Sequence, residues 1–163
     1  MQLYNVTDSY VNFLRNFDLK VPENKVEKRP FVGIVFSISG DNFFVPLSSP
    51  KPKHRRMKNG PDFHKIYGGR QGAINLNNMI PIPSSELILV DINNIPDEDY
   101  RNLLNSQLRF LNSIQDSLKK KAKDLYQLVG SNDEILSDIQ IKIKQRCIDF
   151  PLLQNKSRLY KKQ

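Results

Sequence analysis

Residues 43–61, FFVPLSSPKPKHRRMKNGP, concentrate residue types that act on phosphate esters. An apolar run ends at Ser48 and Ser49, and five cations follow it with no acidic residue among them. These cations are Lys51, Lys53, Arg55, Arg56 and Lys58. A serine hydroxyl can donate a hydrogen bond to a phosphate oxygen, and lysine and arginine offset the negative charge. The stretch therefore favours the binding or cleavage of a phosphodiester.

The same stretch contains a histidine and three prolines. Pro46, Pro50 and Pro52 predict a stiff segment outside any helix, because proline restricts the backbone and lacks an N–H. The imidazole of His54 suits acid–base chemistry, since its free pKa lies near neutral pH. Its position suits stacking on a base or holding a phosphate equally well. We rank His54 as a ligand-binding residue first and a catalyst second.

The rest of the sequence carries no signature of a cofactor or metal ion. Neither a GxxxxGKS/T phosphate loop nor a GxGxxG motif after a strand is present, and no nucleophile elbow occurs. Cys147 is the single cysteine, and His54 and His64 lack clustered carboxylates. We therefore expect neither a cofactor nor a metal site.

One reaction that needs no metal is cleavage of RNA by its own 2′-hydroxyl, which leaves a 2′,3′-cyclic phosphate and a 5′-hydroxyl. The protein must align the attacking and leaving oxygens, move two protons and stabilise charge on the phosphoryl oxygens. A non-catalytic RNA- or DNA-binding module is the alternative, since strands with a basic loop suffice for binding. A third hypothesis, an adaptor at a ribosome or membrane surface, is supported only by the net positive charge.

Length and composition describe a globular protein that attracts polyanions. The chain has 163 residues and a net charge of +8, and 39% of its residues are hydrophobic. This length fits a single domain, 1–163, with its own core. No apolar run approaches the ~20 residues that cross a bilayer, and the first 20 residues lack a secretory signal pattern. We expect a cytoplasmic protein with no membrane partner.

The order of elements predicts an α+β fold. Strand patterns occupy the first ninety residues, with a hairpin whose strands lie at 31–38 and 43–47. The connections between strands are too short for helical crossovers, so the sheet should be mainly antiparallel and strongly curved. After Pro96 the apolar spacing becomes helical up to Gly130, as one helix or two broken near Asn112 and Ser113, and further helices follow.

Three segments resemble the motifs of a known family. RPFVGIVF at 29–36, PLSSPKPKH at 46–54 and GAINLNNMIPIP at 72–83 are similar to those of the ToxN/AbiQ family, in the same order. Members of this family are the endoribonuclease toxins of type III toxin–antitoxin systems. The resemblance covers essentially the whole chain and implies a compact fold similar to the Kid/MazF toxins.

The resemblance also implies an activity and partners. The expected activity is metal-independent RNA cleavage with a cyclic phosphate product. The expected inhibitor is a small, repetitive antitoxin RNA folded as a pseudoknot, which the toxin also processes. The substrates would be cellular or phage RNA, and toxin and antitoxin would form a closed protein–RNA ring such as a heterohexamer.

Catalytic roles follow from the resemblance by position. Ser49 aligns with the critical active-site serine, Ser48 holds the preceding hydroxyl position and Lys51 matches the motif lysine. Arg29 lies where some relatives have lysine. Arginine is a poor proton carrier at neutral pH, so this departure favours charge stabilisation over proton transfer.

The remaining candidates are RNA-binding residues. Tyr10 lies on the apolar face of a predicted helix. Its side chain fits a place in the core and a place with its hydroxyl in the RNA-binding cleft equally well. Asn77 and Asn78 fit a turn first and base recognition second. The full set of RNA-binding candidates is Tyr10, Lys25, Lys53, His54, Arg55, Arg56, Lys58, Asn77 and Asn78. The KKKAK run at 119–123 fits a solvated helix face or an outer groove for the inhibitor.

Overall fold

The computed structural model describes residues 1–24 and 30–161, and these form one antiparallel sheet followed by helices. The seven strands of the described chain are β1 (Gln2–Val6), β2 (Phe31–Ile38), β3 (Asp41–Ser48), β4 (His64–Lys65), β5 (Ala73–Ile74), β6 (Ile80–Pro81) and β7 (Leu87–Leu89). Their order in the sheet is β4-β5-β3-β2-β1-β7, and β6 pairs with β3 beside this path. The predicted α+β class is confirmed.

The hairpin of β2 and β3 forms the centre of the sheet. Phe31 lies opposite Pro46 and Phe36 lies opposite Phe43, with a shift of register between them. Such an irregularity bends a strand and increases its twist. The hairpin pairs with β1 along β2 and with β5 and β6 along β3.

Six helices accompany the described sheet. They are α1 (Asp8–Arg15), α2 (Pro52–Arg56), α3 (Glu98–Ser113), α4 (Gln115–Gly130), α5 (Asp138–Arg146) and α6 (Phe150–Ser157). The break between α3 and α4 falls at Ile114, one residue after the predicted pair. Within residues 1–24 and 30–161, no helix is both long and apolar enough to cross a membrane.

The expectation that prolines keep the basic segment out of a helix is wrong for residues 52–56. Helix α2 begins there with Pro52 in its first turn. A proline is compatible with that position because the first N–H groups of a helix have no intrahelical acceptor. The short helix carries the cations Lys53, Arg55 and Arg56.

The core lies between the hairpin and the C-terminal helices. Phe36 stacks on Phe43 with ring centroids 4.7 Å apart, and Tyr126 from α4 meets both rings edge-on. Phe150 at the start of α6 is completely buried and packs against Phe43. The helices therefore support the hairpin that ends at Ser48.

Candidate active site

Two serines with different surroundings lie at the end of β3. Ser48 is half-buried, pairs with Ala73 of β5 and accepts a hydrogen bond from Asn75 Nδ2 at 2.5 Å. Ser49 is exposed, and its hydroxyl has no hydrogen-bond partner within residues 1–24 and 30–161. One hydroxyl is therefore held in place and the next is accessible to a ligand.

Gly72 allows the chain to pass closely beside these serines. Its φ is +96°, and a Cβ added there would lie 2.0 Å from the carbonyl oxygen of Ser48. Every residue with a side chain would push the entrance of β5 away from the end of β3, because a contact of 2.0 Å is far inside van der Waals distance. Glycine at this position keeps Ser48 and Ala73 paired.

The cations after Ser49 are exposed and uncompensated. Lys51 has an extended backbone, and its carbonyl accepts the His54 N–H at 2.9 Å as α2 begins. All five predicted cations of the segment are exposed. Across the part of the chain that the structure describes, none of them forms a salt bridge. The positive charge beside the serines is thus available to an anion.

His54 is the buried residue of α2, the helix that carries the cations, with 2% of its surface exposed. Its ring lies 5.9 Å from that of Phe63, and Nδ1 has no hydrogen-bond partner in the described structure. Burial lowers the pKa of His54, and the charges of Lys51 and Lys53 lower it further. This placement favours a neutral, structural imidazole over direct contact with RNA.

The lowered pKa of His54 predicts a loss of stability in mild acid. The unfolded chain takes up this proton near the ordinary pKa of about 6.5, whereas the folded protein resists it, so unfolding becomes easier as pH falls through and below that value. We expect the free energy of unfolding, measured in urea between pH 7.5 and 5.5, to fall less steeply in His54→Gln than in the wild type. Equal slopes for both proteins would contradict the assignment.

His64 needs a separate control in that experiment, because its environment also lowers its pKa. The causes are burial and the neighbouring ammonium of Lys121, whose Nζ lies 3.2 Å from His64 Nδ1. Lys121 also donates to the carbonyl of Gly60 at 3.3 Å. His64→Gln therefore measures the second contribution to the pH dependence.

One lysine of the 119–123 run, Lys121, is thus turned inward, while Lys119 and Lys123 are exposed.

Several predicted RNA-binding residues lie within the framework of the protein. Tyr10 is completely buried and its hydroxyl donates to the Pro81 carbonyl at 2.5 Å, which corresponds to the core alternative. Asn77 and Asn78 lie in a 3-10 turn, Leu76–Asn78, and the Asn77 amide donates to the Arg146 carbonyl at 3.3 Å. Lys25 and Arg29 fall outside the described residues.

A cavity of about 570 Å³ opens beside the serines, and no pattern in the sequence indicated it. Its walls combine Ser48 and Ser49 with residues from β1, from the segment around β7 and from α3. Tyr100 and Gln107 lie on α3, where their spacing indicated only an amphipathic helix. The sequence signal that could have drawn attention to Tyr100 was its place in the first turn of α3, among acidic residues.

The remaining groups of chemical interest are the thiol of Cys147 and the side chains that could bind a metal ion. Cys147 is buried, and burial raises the pKa of its thiol to about 12, so it stays protonated at neutral pH. Within residues 1–24 and 30–161, no group of three or more His, Cys, Asp or Glu side chains is placed to hold a metal ion. The hydroxyls and cations around Ser49 remain the candidate site of the described chain.

An antiparallel sheet that presents two serines beside an exposed basic helix is suited to a protein that binds or cleaves phosphodiesters. Comparison with known proteins assigns the chain to a family. The family model described as Toxin ToxN, type III toxin-antitoxin system, matches residues 2–158. The chain therefore belongs to the ToxN family of type III toxin–antitoxin toxins.

Individual relatives agree with this assignment. The chain is 33% identical to the endoribonuclease ToxN of Pectobacterium atrosepticum, covering 100% of this chain and 95% of the relative. It is 34% identical to the endoribonuclease ToxN of Bacillus thuringiensis subsp. kurstaki, covering 98% and 84%. A solved type III toxin structure, concerned with selective toxin inhibition by a non-coding RNA pseudoknot, superimposes with a TM-score of 0.86 at 32% identity, covering 99% and 98%.

Proposed function

We propose that this protein is a metal-independent endoribonuclease toxin that cuts RNA through attack of the substrate's own 2′-hydroxyl. The products are a 2′,3′-cyclic phosphate and a 5′-hydroxyl end. The observation that carries the proposal is the exposed Ser49 hydroxyl beside fixed Ser48 and uncompensated Lys51, in a chain of the ToxN family. These groups supply hydrogen bonds and positive charge to a phosphate.

Each serine has a defined task in this mechanism. Ser48 Oγ accepts the Asn75 hydrogen bond, so its own proton is left to donate to a non-bridging phosphate oxygen. Ser49 donates to the same phosphoryl group from the solvent side. Negative charge increases on these oxygens in the transition state, and donors already in position stabilise it there more than in the substrate.

The cations divide between the reacting phosphate and its neighbours. Lys51 is close to Ser49 in the chain, and it offsets charge on the reacting phosphate together with Arg29. Lys53, Arg55, Arg56 and Lys58 are exposed and bind flanking phosphates. The affinity for RNA then depends on salt, because each neutralised phosphate releases counterions.

The partners follow from the family. We infer that residues 1–163 act as one toxin domain in the cytoplasm and are inhibited by a small repetitive RNA pseudoknot that the protein also processes. Solved relatives include a toxin inhibited by a non-coding RNA pseudoknot, and the basic surface described above is suited to such a polyanion. The proposed assembly is a closed protein–RNA ring, with a heterohexamer as one form, and the targets are cellular or phage RNA.

Purified protein incubated with single-stranded RNA in EDTA tests the activity. We expect new fragments with 5′-hydroxyl and cyclic phosphate ends, and we expect no cut where a single 2′-hydroxyl is replaced by hydrogen, because the nucleophile is then missing. Continued cutting at the 2′-deoxy position would exclude this mechanism. Tight retention of RNA without any fragments would instead identify a non-catalytic binding module.

A further inference from the structure

The cavity beside Ser48 and Ser49 differs in charge from the basic segment. The five cations of residues 51–58 do not line it. Among its lining residues in the described chain, Asp91 is the one with a charged side chain. A phosphate would be repelled by that carboxylate, so the cavity suits a neutral group next to the phosphate rather than the phosphate itself.

The cavity offers apolar surface and an exposed aromatic ring. Leu89 and Leu103 contribute aliphatic walls, and Tyr100 of α3 lines the same space with 37% of its surface exposed. A planar, neutral and partly apolar ligand could pack against this ring. Stacking of a base on an aromatic side chain typically strengthens binding roughly 5- to 150-fold.

Hydrogen-bonding side chains complete the cavity. Gln107 is 2% exposed, and its Nε2 donates to the Gln71 carbonyl at 2.7 Å. Its amide oxygen and the second N–H of Nε2 are left for a ligand. Asp91 is oriented by a hydrogen bond from Asn94 at 2.7 Å and accepts only, as an ionised carboxylate. The cavity thus presents the Asp91 carboxylate as an acceptor, together with the amides of Gln107 and Asn5, of which Asn5 has no side-chain partner in the described structure.

We propose that this cavity binds the nucleobase next to the cut phosphate and prefers a base with an exocyclic amino group. The amino groups of adenine, cytosine and guanine can donate to Asp91, whereas uracil offers only N3–H, flanked by two carbonyl oxygens that a carboxylate repels. The inference rests on the proposed ribonuclease function. It makes Tyr100, Asp91 and Gln107 determinants of the cleavage sequence, with phosphates held on the other side of Ser49 by cations.

Cleavage of a pool of single-stranded RNA with randomised bases tests the preference. Sequencing of the cut ends from the wild type should show uracil depleted at one position flanking the cut. Tyr100→Leu keeps an apolar wall but removes the ring, and Asp91→Asn introduces a donor. Each should reduce the selectivity at that position at least about fivefold and leave other positions unchanged. Tyr67→Leu is the matched control, since Tyr67 is 38% exposed and does not line the cavity.

A binding measurement separates this inference from the activity on which it rests. The probe is an all-2′-deoxy oligonucleotide with one 2-aminopurine among thymines, which cannot be cut but carries an exocyclic amino group. We expect its fluorescence to be quenched by the wild type and by Tyr67→Leu, and to stay bright when bound to Tyr100→Leu. Fluorescence anisotropy shows that the oligonucleotide is bound, and melting curves show that the variants are folded.

The outcomes of the two experiments distinguish the claims. An unchanged cleavage profile in Tyr100→Leu and Asp91→Asn, or equal quenching by Tyr100→Leu and the wild type, overturns the base-binding cavity while RNA cleavage stands. Quenching that depends on Tyr100 in a protein that cuts no RNA supports the cavity and rejects the nuclease. A wild type that neither cuts nor quenches rejects both.

Discussion

Replacement of Ser49 with alanine should lower the rate of RNA cleavage about 100- to 1,000-fold without unfolding the protein. The expected loss is that of one preorganised donor to a developing oxyanion. The hydroxyl is exposed and has no hydrogen-bond partner in the described structure, so its removal should change stability by less than about 0.5 kcal/mol. Single-turnover cleavage of a defined RNA and a thermal melt measure the two effects.

Two other serines provide the comparison for that variant. Ser48→Ala should lose activity and also about 1–2 kcal/mol of stability, because the Asn75 amide loses its acceptor in a half-buried site. Ser84→Ala changes an exposed serine in a 3-10 turn that does not line the cavity at Ser49, and it should behave as the wild type. Wild-type cleavage by a folded Ser49→Ala protein would show that the reacting phosphate lies elsewhere.

The second large effect is expected for Gly72→Ala. A Cβ at this position would overlap the carbonyl oxygen of Ser48 at 2.0 Å, and φ is +96°. A left-handed backbone and a forced shift of packed neighbours each cost about 1–3 kcal/mol. We therefore expect the melting temperature to fall by at least about 5 °C, since 1 kcal/mol corresponds to about 2–4 °C in a domain of this size.

Gly40→Ala separates the two causes of that loss. Gly40 has a φ of +85°, but a Cβ there would meet nothing within 4 Å. It should lose only the cost of the left-handed backbone, about 1–2 kcal/mol, and keep its cleavage rate. Gly72→Ala should also cut slowly at temperatures where it is folded, because the end of β3 has moved. If the two variants are equally stable and equally active, the close approach at Ser48 is not what requires glycine.

Local patterns explain why much of the fold could be predicted. The hairpin of β2 and β3 has β-forming residues on both sides of a turn, and the break after α3 falls within two residues of the pair Asn112 and Ser113. Neighbouring residues decide such features. The pair of serines could be identified for the same reason, since an apolar strand, two hydroxyls and a run of cations are contiguous in the chain.

Burial and long-range contacts explain what could not be predicted. His54 lies in a basic run, which is typical of a surface segment, but its side chain is buried and its ring lies near that of Phe63. Lys121 looks like part of a solvated face, yet its ammonium lies 3.2 Å from His64, which is 57 residues away. Neither neighbour is visible in a linear pattern, because each depends on how the helices dock against the sheet.

The sequence by itself determined the family, the order of strands and helices, and the identity of the hydroxyls and cations that would meet a phosphate. These properties depend on residue type and on spacing along the chain. Only the tertiary structure decided which hydroxyl is exposed, that Gly72 must be without a side chain, and that Asp91 and residues of α3 line one cavity with the serines. Such properties depend on distances between segments that are remote in sequence, which packing of the whole core establishes.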